Sequence, residues 1–147
     1  MHTEFFEPRH LTMFKYQGMQ SGAKSFGMED GDVLASVGPA VTGFDDSGNV
    51  IGCAGLWVRH EGVAEAWAVL SERCVGALMV PVTRAVRRFI ADRTEHRIQA
   101  LVLSDWKAGR RWVEMLGFQY EGTLLRYTPN AQDCDMYSRA GGRYANR

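Results

Sequence analysis

Glu65 is the residue best placed for proton chemistry. It stands inside VAEAWAVL, residues 63 to 70, where alternation puts Glu65, Trp67 and Val69 on one face and Ala64, Ala66, Ala68 and Leu70 on the other. A carboxylate in so apolar a strand can accept a proton directly or through water, and it can equally be the exposed partner of an arginine. The next segment, SERCVGA over residues 71 to 77, holds Arg73, able to make a charge-assisted contact with an anion, and Cys74, a thiol with no base near it in sequence. His60 sits beside Glu61 where the preceding apolar run ends, either as a turn residue or as a base. The 4 histidines form no recognisable metal cluster.

Cys53, Cys74 and Cys134 are widely separated and lack metal-ligand spacing. An odd number of cysteines without a signal peptide points to a reducing, cytoplasmic setting. Cys53, inside VIGCAGLWV, reads as buried filler. The 17 basic and 17 acidic residues balance, so no global field draws the chain toward nucleic acid or an anionic membrane. Arg84, Arg87, Arg88, Arg93 and Arg97 form a local basic run, either the wetted face of a helix or a surface for an anion or partner. No apolar stretch reaches the length of a membrane span.

With 147 residues, 46% of them apolar, the chain supports one core and is read as one domain over residues 1–147, with a frayed tail, AGGRYANR, at 140–147. The opening MHTEFFEPRHLTMFKY allows a short helix after Pro8, with Leu11 and Phe14 on one side. The glycine-rich stretch from Gly18 to Asp32 reads as a connection with at most one helical turn. AVTGF, the turn DDSGN and VIGCAGLWV form a strand pair, and VAEAWAVL adds a third antiparallel strand.

From Pro81 the period becomes helical. Val82, Ala85, Val86, Phe89 and Ile90 share a stripe while the arginines point elsewhere. IQALVL is then a nearly continuous apolar strand. Ser104 or Asp105 caps a further helix with Ala108, Trp112, Met115 and Leu116 as its apolar stripe, and Gly117 ends it in the left-handed conformation so that Phe118 folds back onto the core. QYEGTLLRY and CDMYSR form a last antiparallel pair across TPNAQD, carrying Tyr127 and Tyr137 on strands.

This order, with the segments AEAWAVLSE, VPVTRAVRRFI and DWKAGRRWVEMLGF, resembles the GCN5-related N-acetyltransferase (GNAT) superfamily, and in texture the small acetyltransferase-like proteins of tailed bacteriophages. The resemblance covers residues 38 to 139, and residues 1–37 fit it loosely. It implies an α/β fold with a mixed, mostly antiparallel central sheet flanked by helices. It also implies transfer of acetyl from acetyl-CoA to an amine of a protein, peptide or small molecule.

On the same resemblance, the cofactor diphosphate lies over residues 71 to 77, held by the amides of Cys74, Val75, Gly76 and Ala77 and by Arg73. The backbone of Ala68, Val69 and Leu70 faces the thioester oxygen, and Asp105 and Trp106 flank the adenosine or pantetheine. Glu65 is the base, and Trp67 a wall of the acceptor pocket. Three departures matter: Gly76 stands alone where the family has closely spaced glycines, Trp106 replaces an asparagine, and Val113 replaces a tyrosine. Valine donates no proton, so Tyr127, Tyr137 or water must serve the departing thiolate, with Tyr127 paired to Glu65 in the catalytic assignment.

The expected partners are an amine-bearing substrate, which a phage setting makes a host or virion protein, and a second copy in a homodimer. Membrane, metal and nucleic acid are not expected. The location is the host cytoplasm or the virion. The rival reading is a non-catalytic GNAT-fold phage structural or host-interaction protein, which Val113 and the reduced glycine content of the loop favour.

Overall fold

The computed structural model describes residues 1–18 and 28–140, so most of the Gly18 to Asp32 connection and the tail beyond 140 lie outside the described residues. A seven-stranded sheet has the order β1-β2-β3-β4-β5-β7-β6, the mixed, mostly antiparallel architecture expected from the sequence. Its strands are β1 (His2–Phe5), β2 (Ala40–Phe44), β3 (Val50–His60), β4 (Val63–Leu70), β5 (Arg97–Leu103), β6 (Gln119–Leu124) and β7 (Cys134–Ala140). Among the described residues three α-helices accompany them: α1 (Met28–Ser36), α2 (Met79–Ala91) and α3 (Lys107–Met115). β4 and β5 run parallel because α2 carries the chain across between them, whereas β1–β2, β2–β3, β5–β7 and β6–β7 are antiparallel.

The chain divides into two compact units. The first comprises residues 1–57 and 67–92. Its β2–β3 turn is built by Asp45, whose Oδ1 accepts the N–H groups of Ser47 and Asn49 at 2.9 Å each, while Gly48 supplies the left-handed residue. A core of Leu11, Leu34, Phe44, Val50, Cys53 and Val69 is ringed by Phe6, Phe14, Tyr16, Trp57 and Trp67.

The N-terminal residues depart from expectation. His2–Phe5 form an edge strand on β2, and the short helix after Pro8 is a 3-10 turn over Pro8–Thr12. In place of one helical turn before Asp32, α1 runs on to Ser36. In α2 the expected stripe holds, with Val82 and Ile90 buried and Arg84, Arg87 and Arg88 exposed. The helix begins before Pro81, since a 3-10 turn over Gly76–Leu78 leads directly into Met79. Proline is tolerated there because the first turn has no intrahelical acceptor for its missing N–H.

The second unit comprises residues 58–66 and 93–147. Here β4 pairs with β5 over Val63↔Arg97, Ala64↔Ile98 and Glu65↔Gln99, and the ladder ends at that third pair. β5 pairs with β7 from Arg97↔Ala140 to Leu103↔Cys134. The α3 terminus behaves as read: Gly117 has φ +95, its N–H bonds to the Glu114 carbonyl at 3.0 Å, and the Phe118 N–H bonds to the Val113 carbonyl at 3.1 Å. This double bond is the Schellman arrangement, and it folds Phe118 into the core at 4% exposure.

The apolar stripe of α3 is rotated from the expected one. Gly109, Val113 and Leu116 are buried while Ala108 and Met115 are exposed and Trp112 is half-buried. β6 stops at Leu124 instead of continuing to Tyr127. Leu125 is exposed and Arg126 has φ +53, which breaks the strand, so Tyr127 lies in a turn with its N–H on the Gln132 carbonyl at 2.8 Å.

Candidate active site

In the first unit, the segment after β4 is a tight turn that consumes most of its own amides. Ser71 is its hub: its N–H reaches the Ile51 carbonyl, its Oγ accepts the Arg73 N–H at 3.1 Å, and its carbonyl accepts the Cys74 N–H at 2.9 Å. The Val75 N–H bonds to the Arg73 carbonyl at 3.0 Å. The amides of Cys74 and Val75 are therefore spent inside the turn. Those of Gly76 and Ala77 open the helical segment that becomes α2, where backbone donors lack intrahelical acceptors and the dipole favours an anion. Gly76 has φ +60, and a Cβ built on it meets no described residue within 4 Å, so this corner is open among the described residues. Arg73 is held by Asp45 at 3.2 Å, and hydrogen bonds led by the Asn49 amide keep the Asp45 carboxyl below its ordinary range.

The N-terminal segment fastens onto the same turn. The Gln17 N–H donates to the Leu70 carbonyl at 3.0 Å, the Glu72 N–H donates to the Lys15 carbonyl at 2.8 Å, and the Gln17 side-chain amide reaches the Cys74 carbonyl at 2.9 Å. Of the expected oxyanion-facing residues, Val69 and Leu70 are buried and Ala68 half-buried. Cys74 is 1% exposed, its thiol faces the Met79 sulfur, and burial pushes it up to about 11, which disfavours it as a nucleophile. Trp67 packs edge-on against Phe6 with centroids 5.4 Å apart and lies across Gly55, where an added Cβ comes within 2.9 Å of the indole. Its indole N–H is buried with no acceptor among the described residues.

In the second unit, Glu65 lies on a polar sheet face. Arg59 donates to its Oε2 at 2.7 Å and Gln99 donates to its Oε1 at 3.2 Å. The side chain is 21% exposed, which leaves a path to water. Glu65 is thus the arginine partner that one of its two sequence readings expects, and solvent still reaches its carboxylate. Gln99 and Arg59 were not singled out from sequence, although alternation in RIQALVL does separate Arg97 and Gln99 from the buried Ile98, Ala100 and Val102.

The remaining candidates scatter. Val113 is buried in the core, and beside it on α3 Glu114 accepts a 3.2 Å hydrogen bond from the Tyr137 hydroxyl. Tyr137 is 2% exposed, and burial first, then Glu114, pushes its phenol up. Tyr127 is an exposed turn residue. Neither Ser104 nor Asp105 caps α3: Trp106 occupies the cap position without a side-chain bond, its ring lying over Gly109, and Asp105 is exposed. The Ser104 hydroxyl instead donates to the buried Asp135 at 2.6 Å, alongside Thr123 at 2.8 Å. His60 is an exposed strand-end residue, its ring nitrogen 3.3 Å from the Glu61 carbonyl. Among the described residues no His, Cys, Asp and Glu groups gather into a metal site, and no helix is long and apolar enough to cross a membrane.

No family model matches the chain, and no curated protein does. Solved structures do. A protein assigned as a phosphinothricin N-acetyltransferase superposes with a TM-score of 0.77 at 16% identity, over 97% of this chain and 99% of that one. The chain has the GNAT fold. A ribosomal-protein-S5-alanine acetyltransferase from Vibrio fischeri gives a TM-score of 0.72 at 15% identity, over 97% of this chain and 93% of that one. A variant of the spermidine N-acetyltransferase from Vibrio cholerae gives 0.69 at 15% identity, over 100% and 99%. These identities speak for the GNAT fold alone, and the three names carry three different acceptors.

Proposed function

We propose that this GNAT-fold protein is an N-acetyltransferase that moves acetyl from acetyl-CoA to a primary amine. The reading is carried by the corner at Gly76, where an open left-handed glycine delivers the Gly76 and Ala77 amides to the start of a helix. That donor set fits a diphosphate. Arg73 adds a third contact if it turns from Asp45, which its exposed position allows. Acetyl-CoA supplies the activated acyl group when bound. The short β4–β5 ladder and the acetyltransferases of the same fold support the reading.

Within it, Glu65 is the base. An ammonium acceptor passes one proton to the Glu65 carboxylate through water, and the freed nitrogen lone pair then takes the acyl carbon as the carbon–sulfur bond breaks. The second nitrogen proton leaves on the sulfur, and Glu65 returns its own proton to solvent. Tyr127 is not required, because the acceptor nitrogen itself supplies the proton that the thiolate needs. A phage setting, with a host or virion protein as acceptor, rests on sequence texture alone.

The rival is a non-catalytic protein of the same fold, favoured by the buried Val113 and by the spent amides of Cys74 and Val75. Calorimetric titration with acetyl-CoA, followed by a thiol-release assay over an amine panel, separates the two. Saturable binding near one to one with turnover of at least one amine is expected. Absence of binding at millimolar ligand abandons the enzyme reading.

A further inference from the structure

A directed row of side chains crosses one face of the second unit's sheet and ends on Glu65. It starts at Ser138 on β7, whose hydroxyl donates to Glu121 on β6 at 2.8 Å. Glu121 takes both terminal guanidinium nitrogens of Arg97, and that pairing holds its carboxyl below the ordinary range. The remaining Arg97 donor, Nε, reaches Gln99 Oε1 at 3.0 Å. Gln99 Nε2 then reaches Glu65 Oε1. Arg59, from β3, closes the row on the other carboxylate oxygen.

The order of the row has a chemical consequence. A guanidinium only donates, so Arg97 pins the Gln99 amide with its oxygen inward and its NH2 toward Glu65. Turned over, the amide would set oxygen against carboxylate. Half-exposed ion pairs of this kind add little to stability. Their effect is on orientation, since each oxygen of Glu65 is met by one fixed donor. The charged groups that bear on Glu65 are Arg59 on β3, Arg97 through Gln99 on β5, and Glu121 on β6 beyond it.

We propose that Gln99, oriented by Arg97, is a positioning residue that aims the Glu65 carboxylate for deprotonation of the acceptor amine. This rests on Glu65 acting as the base. The test is a double-mutant cycle in the full chain, measured by thiol release with the best amine of the panel. Glu65→Gln lowers kcat about 100- to 1000-fold, within the range of general-base losses. Gln99→Leu lowers kcat about tenfold and leaves the KM for acetyl-CoA unchanged, because the Glu65 carboxylate is still present but no longer aimed.

Combined with Glu65→Gln, Gln99→Leu costs nothing further, since its effect runs through Glu65. Arg97→Gln reads the same linkage should Gln99→Leu fold poorly. A full additional loss in the double variant, or an undiminished kcat in Gln99→Leu, overturns the positioning role while leaving the base. Undiminished turnover in Glu65→Gln, or no turnover of any amine by the wild type, removes the base and the positioning role with it.

Discussion

The Thr42 hydroxyl lies 2.7 Å from Nδ1 of His10, and both side chains are buried, at 0% and 2% exposure. The same nitrogen receives the Glu7 N–H at 3.1 Å, so it acts as an acceptor, Thr42 must donate to it, and the ring carries its proton on Nε2. The Thr42 oxygen is then free to accept the Cys53 thiol, 3.6 Å away. Three buried polar groups satisfy one another, tying the 3-10 turn at Pro8–Thr12 to β2 and β3.

Thr42→Val keeps the shape of the side chain but leaves Cys53 without an acceptor and His10 Nδ1 with a single donor. A loss of about 1–2 kcal/mol is expected, read as a lower urea midpoint at constant slope. Thr42→Ser retains most of that stability. A Thr42→Val midpoint equal to wild type would show that the chain of bonds contributes nothing.

The state of His10 sets an acid limit. Burial pushes its pKa down from the ordinary 6.5, with Glu7, 3.9 Å from Nε2, opposing only in part. The unfolded chain therefore binds this proton first as pH falls, so stability is full above about 6.5, declines below it, and levels off beneath the lowered folded value. Thermal midpoints between pH 7.5 and 5 should drop more steeply in wild type than in His10→Gln. Parallel curves would refute the assignment. Glu95 and Glu121, both lowered by arginine partners, titrate below their ordinary 4.5 and so fall outside this window.

Gly76→Ala forces a side chain into a φ of +60, at a backbone cost of about 1–2 kcal/mol, yet meets no steric obstacle among the described residues. The turn is expected to relax and its amides to lose their alignment. Acetyl-CoA affinity should then fall about tenfold, the equivalent of 1.4 kcal/mol, with a thermal midpoint only a few degrees lower. Calorimetric affinity equal to wild type would detach the corner from ligand binding.

The thiols should be silent in the folded protein. Burial raises Cys53 to about 12, Cys74 to about 11, and Cys134 in the same direction. Ellman's reagent at pH 8 is expected to react with the folded chain only as fast as it opens, and with all 3 cysteines at once in denaturant. Rapid stoichiometric labelling of Cys74 in the native state would restore it as a candidate nucleophile.

Much of the architecture was legible because its signals are local. The stripe of α2 follows from a 3.6-residue period, and the stop at Gly117 and Phe118 from the need for a left-handed residue that only glycine meets cheaply. Where two local signals competed, the reading slipped. The apolar residues of α3 also fit a stripe through Trp112 and Met115, and only the tertiary packing that buries Val113 and Leu116 fixes which face is inside. QYEGTLLRY alternates well enough for a long strand, but the left-handed Arg126 ends it early.

The sequence by itself determined the order of strands and helices from Ala40 onward, the glycine corner before α2, and Glu65 as a lone carboxylate in an apolar strand. Only the tertiary structure decided what each of these groups touches. The pairing of Glu65 with Gln99, the capture of Arg73 by Asp45, and the spending of the Cys74 and Val75 amides depend on strand register and turn closure. Most of those contacts join residues far apart in the chain, and periodicity reports which face a side chain takes, never which neighbour waits there.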